Sequence, residues 1–461
     1  LKLCKYQATS SEQLHLSMAA MAELNTLETD GASYAEMHGR SAPSRQWEPP
    51  VRTLTFDANA RSSFTRIIAH EYRETPATLA AKVTHLAGML RRPLLRRASR
   101  AMAYTGAGIS TAAGIHDYAS KGEGTGAAAK KDVKDWRDAQ PTAAHVVMAR
   151  LHAAGLLHHW INQNHDSLPQ KAGFPQHALN EIHGGLHDPA NPIVPYQGNL
   201  RDDLYNWMQQ WQRDADLCLA LGTSLSGFNA DQVVQSSMEK FAAGAGLGVV
   251  LVNLQRTEYD HGCALRIFAE LDVVMEALAR ELCLHGAAAV SEAERTGTRL
   301  SEDRFLVRGF DARTGLPSPG GEVTWDLQLG QWVRLTGGPY AGDVGQVVER
   351  SADGHYKLRF EHSIDETFKI RRRPFALWLG SWWVDEALHR RGICPGGAIP
   401  IVAAEPPPAD EESDAGAGVQ SIEQAKERVA KLAKIGLPAD AVRCKLKVEG
   451  FAPDVIENAL G

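Results

Sequence analysis

The sequence predicts an α/β protein: a parallel sheet covered by helices, then a small all-β module and a short helical C-terminal segment. Three observations predict it. Short, mainly apolar runs at 101–104, 156–161, 217–221 and 248–253 read as buried strands. Helical patterns lie between them, as in Thr142 to Ala153 and Leu200 to Arg213. Such alternation of strands and helices builds parallel sheets. Farther along, Gly330-Gln331-Trp332-Val333-Arg334-Leu335 leads into Gly337 to Val348, where apolar residues alternate between glycine turns. That is the pattern of short, curved strands.

Each element follows in order. Residues 1–60 are weakly patterned: Glu12 to Leu27 reads as a helix and Asp30 to Pro50 as loop. A first folded domain is expected over 61–285. It opens with a helix from Pro76 to Met89, where Leu79, Val83, Leu86 and Met89 recur at helical spacing. The basic run Arg91, Arg92, Arg96, Arg97, Arg100 reads as a solvated surface joining helix to strand. Residues 286–300 read as a linker and 301–393 as the β module, with His355 to Phe360 as a further strand. A second linker, 394–420, carries Pro406-Pro407-Pro408 and Asp410-Glu411-Glu412 and has the composition of a disordered acidic segment. In 421–461 a helix from Ile422 to Ile435 breaks at Gly436-Leu437-Pro438, and Ala439 to Lys447 and Pro453 to Leu460 follow as short helices.

The bulk numbers fit a multidomain globular chain. At 461 residues several domains are expected, and 44% hydrophobic content is enough for a sizeable core. A net charge of −6 gives no global sign of nucleic-acid binding. The six cysteines are scattered, the closest pair being Cys263 and Cys283, which favours a reducing, intracellular compartment, cytoplasmic or nuclear, over a disulfide framework. No apolar run approaches the ~20 residues of a membrane span, so no membrane partner is expected. The chain opens on Leu1 rather than a methionine, as a piece of a longer chain would.

The chemistry concentrates in three segments. Tyr104-Thr105-Gly106-Ala107-Gly108-Ile109-Ser110 is a glycine turn after an apolar run, suited to backbone amides packed against a phosphate. Asn162-Gln163-Asn164-His165-Asp166 adds polar side chains at the end of the run Leu156 to Ile161. His183-Gly184 adds an imidazole whose unperturbed pKa, near 6.5, suits a general base. In a parallel sheet, ligands bind at the carboxyl ends of the strands, where most of these segments fall.

The segment from about Pro76 to Cys283 resembles the NAD-dependent sirtuin deacylase core. Gly106-Ala107-Gly108-Ile109-Ser110 resembles the family's first cofactor loop and Gly114-Ile115-His116-Asp117-Tyr118 the flexible loop after it. Gln163-Asn164 with Asp166, His183-Gly184, Gly222-Thr223-Ser224-Leu225 and Val252-Asn253-Leu254 match the later motifs. The resemblance implies a Rossmann-like sheet, NAD as cofactor and an acylated protein or peptide as substrate. It implies that Gly106, Ala107, Gly108 and Ser110 approach the pyrophosphate, with Gly222, Thr223 and Ser224 giving a second set of donors. Gln163 and Asn164 would meet the nicotinamide ribose, and Asp166 with the backbone at Ile115 the carboxamide. Asn253 and Leu254 would hold the adenine-side ribose, and Asp117 and Tyr118 would line the flexible loop. His183 and Asn164 are the expected catalytic residues. Mono-ADP-ribosyltransfer, NAD hydrolysis and non-catalytic sensing of NAD or ADP-ribose stand as alternatives on the same fold.

The chain departs from that pattern in several places. The family usually carries a zinc module of two cysteine pairs after the histidine. Here no cysteine lies between His183 and Cys218, so no metal is expected, and Gly185 to Pro195 reads as a short replacement loop. His116-Asp117-Tyr118-Ala119 stands where the family has Pro-Asp-Phe-Arg, and His165 where it has an apolar residue. Tyr196-Gln197-Gly198-Asn199 matches the acyl-lysine strand only faintly, so cofactor binding is better supported than peptide binding. The run 330–348 resembles a KOW motif, found in small SH3-like barrels. Arg371-Arg372-Arg373 near Trp378, Trp382 and Trp383 mixes cations with aromatics as nucleic-acid surfaces do, but apolar core tryptophans beside a solvated loop are the favoured reading. The acidic chain as a whole favours a protein partner over RNA, through this module and the C-terminal helices. The tail is similar to a short motif in actin-regulatory proteins such as the coiled-coil subunit of the WASH complex.

Overall fold

The computed structural model describes residues 32–43, 47–59, 66–91, 100–117, 136–195, 198–226, 229–284, 296–360, 375–389, 395–406, 426, 429–430, 442–443 and 453–460. The expected helix at 12–27, Tyr118, Tyr196, Gln197, Arg371-Arg372-Arg373, and most of the acidic linker and of the helices expected at 422–447 lie outside these residues. Two compact units are distinguished, Leu1–Ala404 and Glu405–Gly461. In the second, a helix spans Pro453–Leu460 and Glu457 pairs with Arg443 at 2.8 Å.

Among the described residues the first unit opens with a short helix, Tyr34–His38, capped by Ser33, inside the stretch expected as loop, and an antiparallel hairpin of β1 (Val51–Asn59) and β2 (Arg66–Arg73) follows. The helix Pro76–Arg91 follows and buries Val83, Leu86, Ala87, Met89 and Leu90. The central sheet consists of β3 (Ala101–Thr105), β4 (His159–Asn162), β5 (Leu179–Glu181), β6 (Leu217–Leu221), β7 (Gly248–Val252) and β8 (Leu265–Ile267). Its spatial order is β5-β4-β3-β6-β7-β8, and every pair is parallel. The chain works outward in one direction from β3, then returns to lay β6 on its other side. That reversal is the order of a doubly wound, Rossmann-like fold, and it opens a crevice between the carboxyl ends of β3 and β6.

Both faces of the sheet are covered, which explains why its strands read as continuous apolar runs. Side chains alternate between two cores. Ala101 and Ala103, Leu217, Leu219 and Leu221, and Val250 and Val252 join Val83, Leu86, Val147, Met148, Val274 and Leu278 on one side. Met102 and Tyr104, Cys218 and Ala220, and Val249 and Leu251 join Leu204, Trp207, Met208, Val233 and Val234 on the other. The run expected as a strand from 156 begins pairing only at His159, because the Leu156 and Leu157 amides still bond the Leu151 carbonyl of the preceding helix. Strands β5 and β8 carried no sequence signal: each is three residues long, and neither Leu179-Asn180-Glu181 nor Leu265-Arg266-Ile267 is an apolar run.

The β module has two antiparallel sheets around one core. One contains β9 (Thr298–Arg299), β10 (Arg304–Phe310) and β11 (Pro317–Asp326). The other contains β12 (Trp332–Leu335), β13 (Val344–Arg350), β14 (Tyr356–Phe360), β15 (Phe375–Leu379) and β16 (Ile401–Ala403), in the order β15-β14-β13-β12-β16. Phe305, Val307, Trp325, Val333, Leu358, Phe360 and Ile401 share this core with Trp383 and Leu388 of the helix Trp382–Leu388. Trp383 is thus a core residue, as the apolar reading of the tryptophan cluster has it, with Trp382 partly buried against it.

A buried ion pair ties the hairpin to the sheet. Lys82 Nζ donates to Glu74 Oε1 at 2.6 Å, with both side chains fully buried, and to the carbonyls of Met37 and Arg266. Glu74 Oε1 also accepts the Phe268 amide. Burial pushes both groups toward neutrality, Glu74 up and Lys82 down to about 8, against the pull of their mutual attraction. Removing one partner strands the other, so Lys82→Met should cost roughly 3–5 kcal/mol. Lys82→Met with Glu74→Gln should recover most of that loss, as read by urea unfolding of the parent protein and the two variants.

Candidate functional site

The crevice between β3 and β6 is closed at its base by backbone against backbone. Gly106 donates its amide to the Leu221 carbonyl at 3.3 Å, and Gly108 donates to the Gly222 carbonyl at 2.8 Å. A Cβ on Gly108 would lie 2.7 Å from Gly222 Cα, and one on Gly222, whose φ is +59°, 2.6 Å from the Ile109 nitrogen. Glycine is therefore required here for the two loops to touch. Since the amides of Gly106, Gly108 and Gly222 are spent on the protein itself, Ala107, Thr223 and Ser224 carry the remaining amides of the two loops.

Side chains from the neighbouring strand ends interlock above this seam. Buried Thr105 accepts from Trp160 Nε1 at 2.7 Å and donates to Asn162 Oδ1 at 2.9 Å, which fixes the ends of β3 and β4. Gln163 Nε2 reaches across to Thr223 Oγ1 at 3.0 Å. Asn164 Nδ2 donates to the Gly106 carbonyl at 3.0 Å and to Ser110 Oγ at 3.1 Å. Asn253 Nδ2 donates to the Thr223 carbonyl at 3.1 Å, while its own Oδ1 accepts the Leu254 amide. Ser224 Oγ lies 2.6 Å from Ser226 Oγ. The polar ends of β3, β4, β6 and β7 thus meet in one connected network of uncharged donors and acceptors. Amides and such side chains suit the ribose hydroxyls and pyrophosphate of a dinucleotide.

Asp166 sits beneath the network. Its Oδ2 accepts from Ser110 Oγ at 2.6 Å and its Oδ1 from the Leu168 amide at 3.0 Å. Burial pushes its carboxyl up, opposed by these two bonds. Ile115 and Asp117 follow two short 3-10 turns ending at Gly114, whose φ is +94°, and both are partly exposed.

His183 enters from the end of β5. Its Nδ1 lies 3.2 Å from the Gln163 carbonyl, and its ring centroid 6.4 Å from that of His165. A carbonyl can only accept, so Nδ1 carries a proton, and in the neutral ring the lone pair is on Nε2. The loop after it turns back at once. Gly184, at φ +83°, has no room for a Cβ beside the Pro192 carbonyl, and Val194 donates its amide to the His183 carbonyl at 2.9 Å. His165 binds the Gly184 carbonyl through Nδ1 at 2.8 Å. The polar residue at 165, unusual by the resemblance, thus serves as a strut for the histidine loop. Among the described residues, no group of three or more His, Cys, Asp or Glu side chains stands close enough to hold a metal.

Two residues important to the site were not singled out from the sequence. Arg266, fully buried on β8, binds Asp260 Oδ1 at 2.9 Å and gathers the carbonyls of Leu251, Asn253, Gln255 and Ile267. It fixes the loop that presents Asn253. An arginine between the apolar residues Leu265 and Ile267 was the available signal. Glu181, at the end of β5, lies directly under Gly185: a Cβ there would sit 2.7 Å from Glu181 Oε1.

Burial, and then the nearby charge of Asp188, push the Glu181 carboxyl up to about 8. Its proton is therefore held more tightly folded than unfolded. The associated stability is complete below pH ~4.5 and falls as pH rises toward about 8, by about 1.4 kcal/mol per pH unit. Glu181→Gln should flatten this decline. Its melting temperature relative to the parent protein should rise from pH 5 to pH 8, and equal shifts at both pH values would refute the assignment.

Known proteins resemble parts of the chain. A KOW motif model matches residues 329–358. The chain is 28% identical over 265 residues to the NAD-dependent protein deacetylase sirtuin-7 of Bos taurus, covering 46% of this chain and 63% of that protein. It therefore spans a little under two thirds of the length of that relative. It is 34% identical over 222 residues to an NAD-dependent protein deacetylase of Rhodopseudomonas palustris, covering 36% of this chain and 86% of that protein. A solved Sir2 structure bound to a propionylated peptide aligns with 44% of this chain and 100% of its own, at 24% identity and a TM-score of 0.36. With a third of its aligned residues shared across most of the Rhodopseudomonas palustris protein, the chain belongs to the sirtuin family of NAD-dependent protein deacetylases.

Proposed function

We propose that the protein is an NAD-dependent protein-lysine deacylase that transfers the acyl group to ADP-ribose and releases nicotinamide. The observation that supports this most is the convergence of Gln163, Asn164, Thr223 and Asn253 on one crevice, with His183 hydrogen-bonded to the same Gln163 backbone. NAD, when bound, supplies a ribose carbon from which nicotinamide departs and ribose hydroxyls that receive the acyl group.

The protein's own groups do the rest. The amides of Ala107, Thr223 and Ser224 bind the pyrophosphate at the switch point. Gln163 and Asn164 orient the nicotinamide ribose, and Asn253 and Leu254 the adenine-side ribose. Asp166, with the Ile115 backbone, meets the carboxamide, and its bond to Ser110 keeps the first loop in place meanwhile. Asp117 would meet the cofactor from the segment after Gly114, and Tyr118, expected beside it, lies outside the described residues. His183 Nε2 would accept the proton of a ribose hydroxyl, the group that NAD supplies to receive the acyl. Its Nδ1–H stays on the Gln163 carbonyl, which holds the ring in the basic tautomer. The substrate is an acylated lysine on a protein or peptide.

His183→Ala should leave the fold and NAD affinity largely intact while turnover falls about 10²–10⁴-fold, the size of a general-base contribution. Purified protein is incubated with NAD and acetylated peptide, and nicotinamide, O-acyl-ADP-ribose and ADP-ribose are followed by mass spectrometry. Full deacylation by the variant would remove His183 from the mechanism. ADP-ribose without O-acyl-ADP-ribose from the parent protein would instead establish NAD hydrolysis.

A further inference from the structure

The loop that follows His183 has no strand or helix of its own from Gly184 to Pro195. On one side it is held by its own fold: Leu186 donates to the His165 carbonyl at 3.0 Å, and His187 Nδ1 meets Ser167 Oγ at 3.2 Å. On the other side it is held by the β module. The His187 carbonyl accepts two hydrogen bonds from that module, one from the Gly380 amide at 2.9 Å and one from Trp383 Nε1 at 3.2 Å. The His187 ring is buried against His355, with centroids 4.5 Å apart, and Trp382, at 5.5 Å. Three residues further, the Ala190 carbonyl lies against Gly338, where φ is +74° and a Cβ would come within 1.9 Å of the oxygen. Two separate parts of the module, the turn at 338 and the start of the helix at 382–388, therefore clamp two points of one loop.

We propose that the β module is a positioning element for the histidine loop, with Trp383 and Gly338 as positioning residues that hold 187–190 and, through them, His183. The proposal rests on the reading of His183 as the base for its catalytic consequence, but not for the clamp itself. The physical reason is that a loop without regular structure keeps an ångström-scale geometry only when outside contacts over-determine it.

The test uses the full chain with two single substitutions. Gly338→Ala drives a methyl into the Ala190 carbonyl. Trp383→Phe removes one donor to His187 but keeps an aromatic ring in the core, and so serves if the first variant does not fold. Amide exchange across 184–194 is measured by mass spectrometry, NAD affinity by calorimetry, and kcat and KM from nicotinamide release. The expected result is loss of amide protection at 184–194. It should come with a fall in kcat of about 10²-fold for Gly338→Ala, the cost of an ångström-scale misplacement. NAD affinity should change less than about twofold, since the seam at Gly108 and Gly222 is not touched. Unchanged protection at 184–194 in the folded variants would overturn the proposal, as would equal losses in NAD affinity and kcat. If the parent protein itself shows no turnover, the deacylase reading fails while the exchange measurement still decides the clamp.

Discussion

The bond from the Gly108 amide to the Gly222 carbonyl, 2.8 Å long, is the constraint on which the site depends. It forms only where two strand ends approach without side chains between them, and β3 and β6 are the adjacent strands where chain direction across the sheet reverses. Every polar group of the crevice is placed relative to that seam. Gln163 spans it to Thr223, Asn164 holds its near side through the Gly106 carbonyl, and Asn253 holds its far side through the Thr223 carbonyl. The glycines that sequence reasoning assigns to phosphate approach are thus needed first for the protein to close on itself.

Away from the seam, buried charge ties separate segments of the chain together. Arg266 gathers carbonyls from the turn after β7, and Lys82 gathers those of Met37 and Arg266 with the Glu74 carboxylate. Such fully buried cations cost desolvation and are tolerated because each is surrounded by acceptors. Their benefit is geometric, because a loop carbonyl bound to a guanidinium has one place to be.

Much of this was legible in the sequence. The four central strands announced themselves because both of their faces are buried, and the glycine, Gln163-Asn164 and His183 segments all lie at carboxyl ends, where the fold brings ligands. Strands β5 and β8 were invisible because three residues cannot display a period, and both carry a buried charged residue, Glu181 and Arg266. The role of His165 was also hidden: its partner is a backbone carbonyl nineteen residues away, created by the positive φ at Gly184. Nor did any local pattern reveal that Trp383 is both a core residue of the β module and a donor to His187. Long-range hydrogen bonds leave no periodic trace along the chain.

That last bond has a consequence for how the protein is made. Trp383 lies 196 residues beyond the carbonyl it binds. Synthesis at ~5–20 residues per second separates the two by roughly 10–40 s. The crevice floor between β3 and β6 is complete once the chain has passed β8, whereas the loop carrying His183 must wait for the helix at 382–388. From the emergence of β8 until that helix follows, the nascent chain holds a finished crevice floor beside an unfinished histidine loop, and the loop is set by the closing of a long chain segment.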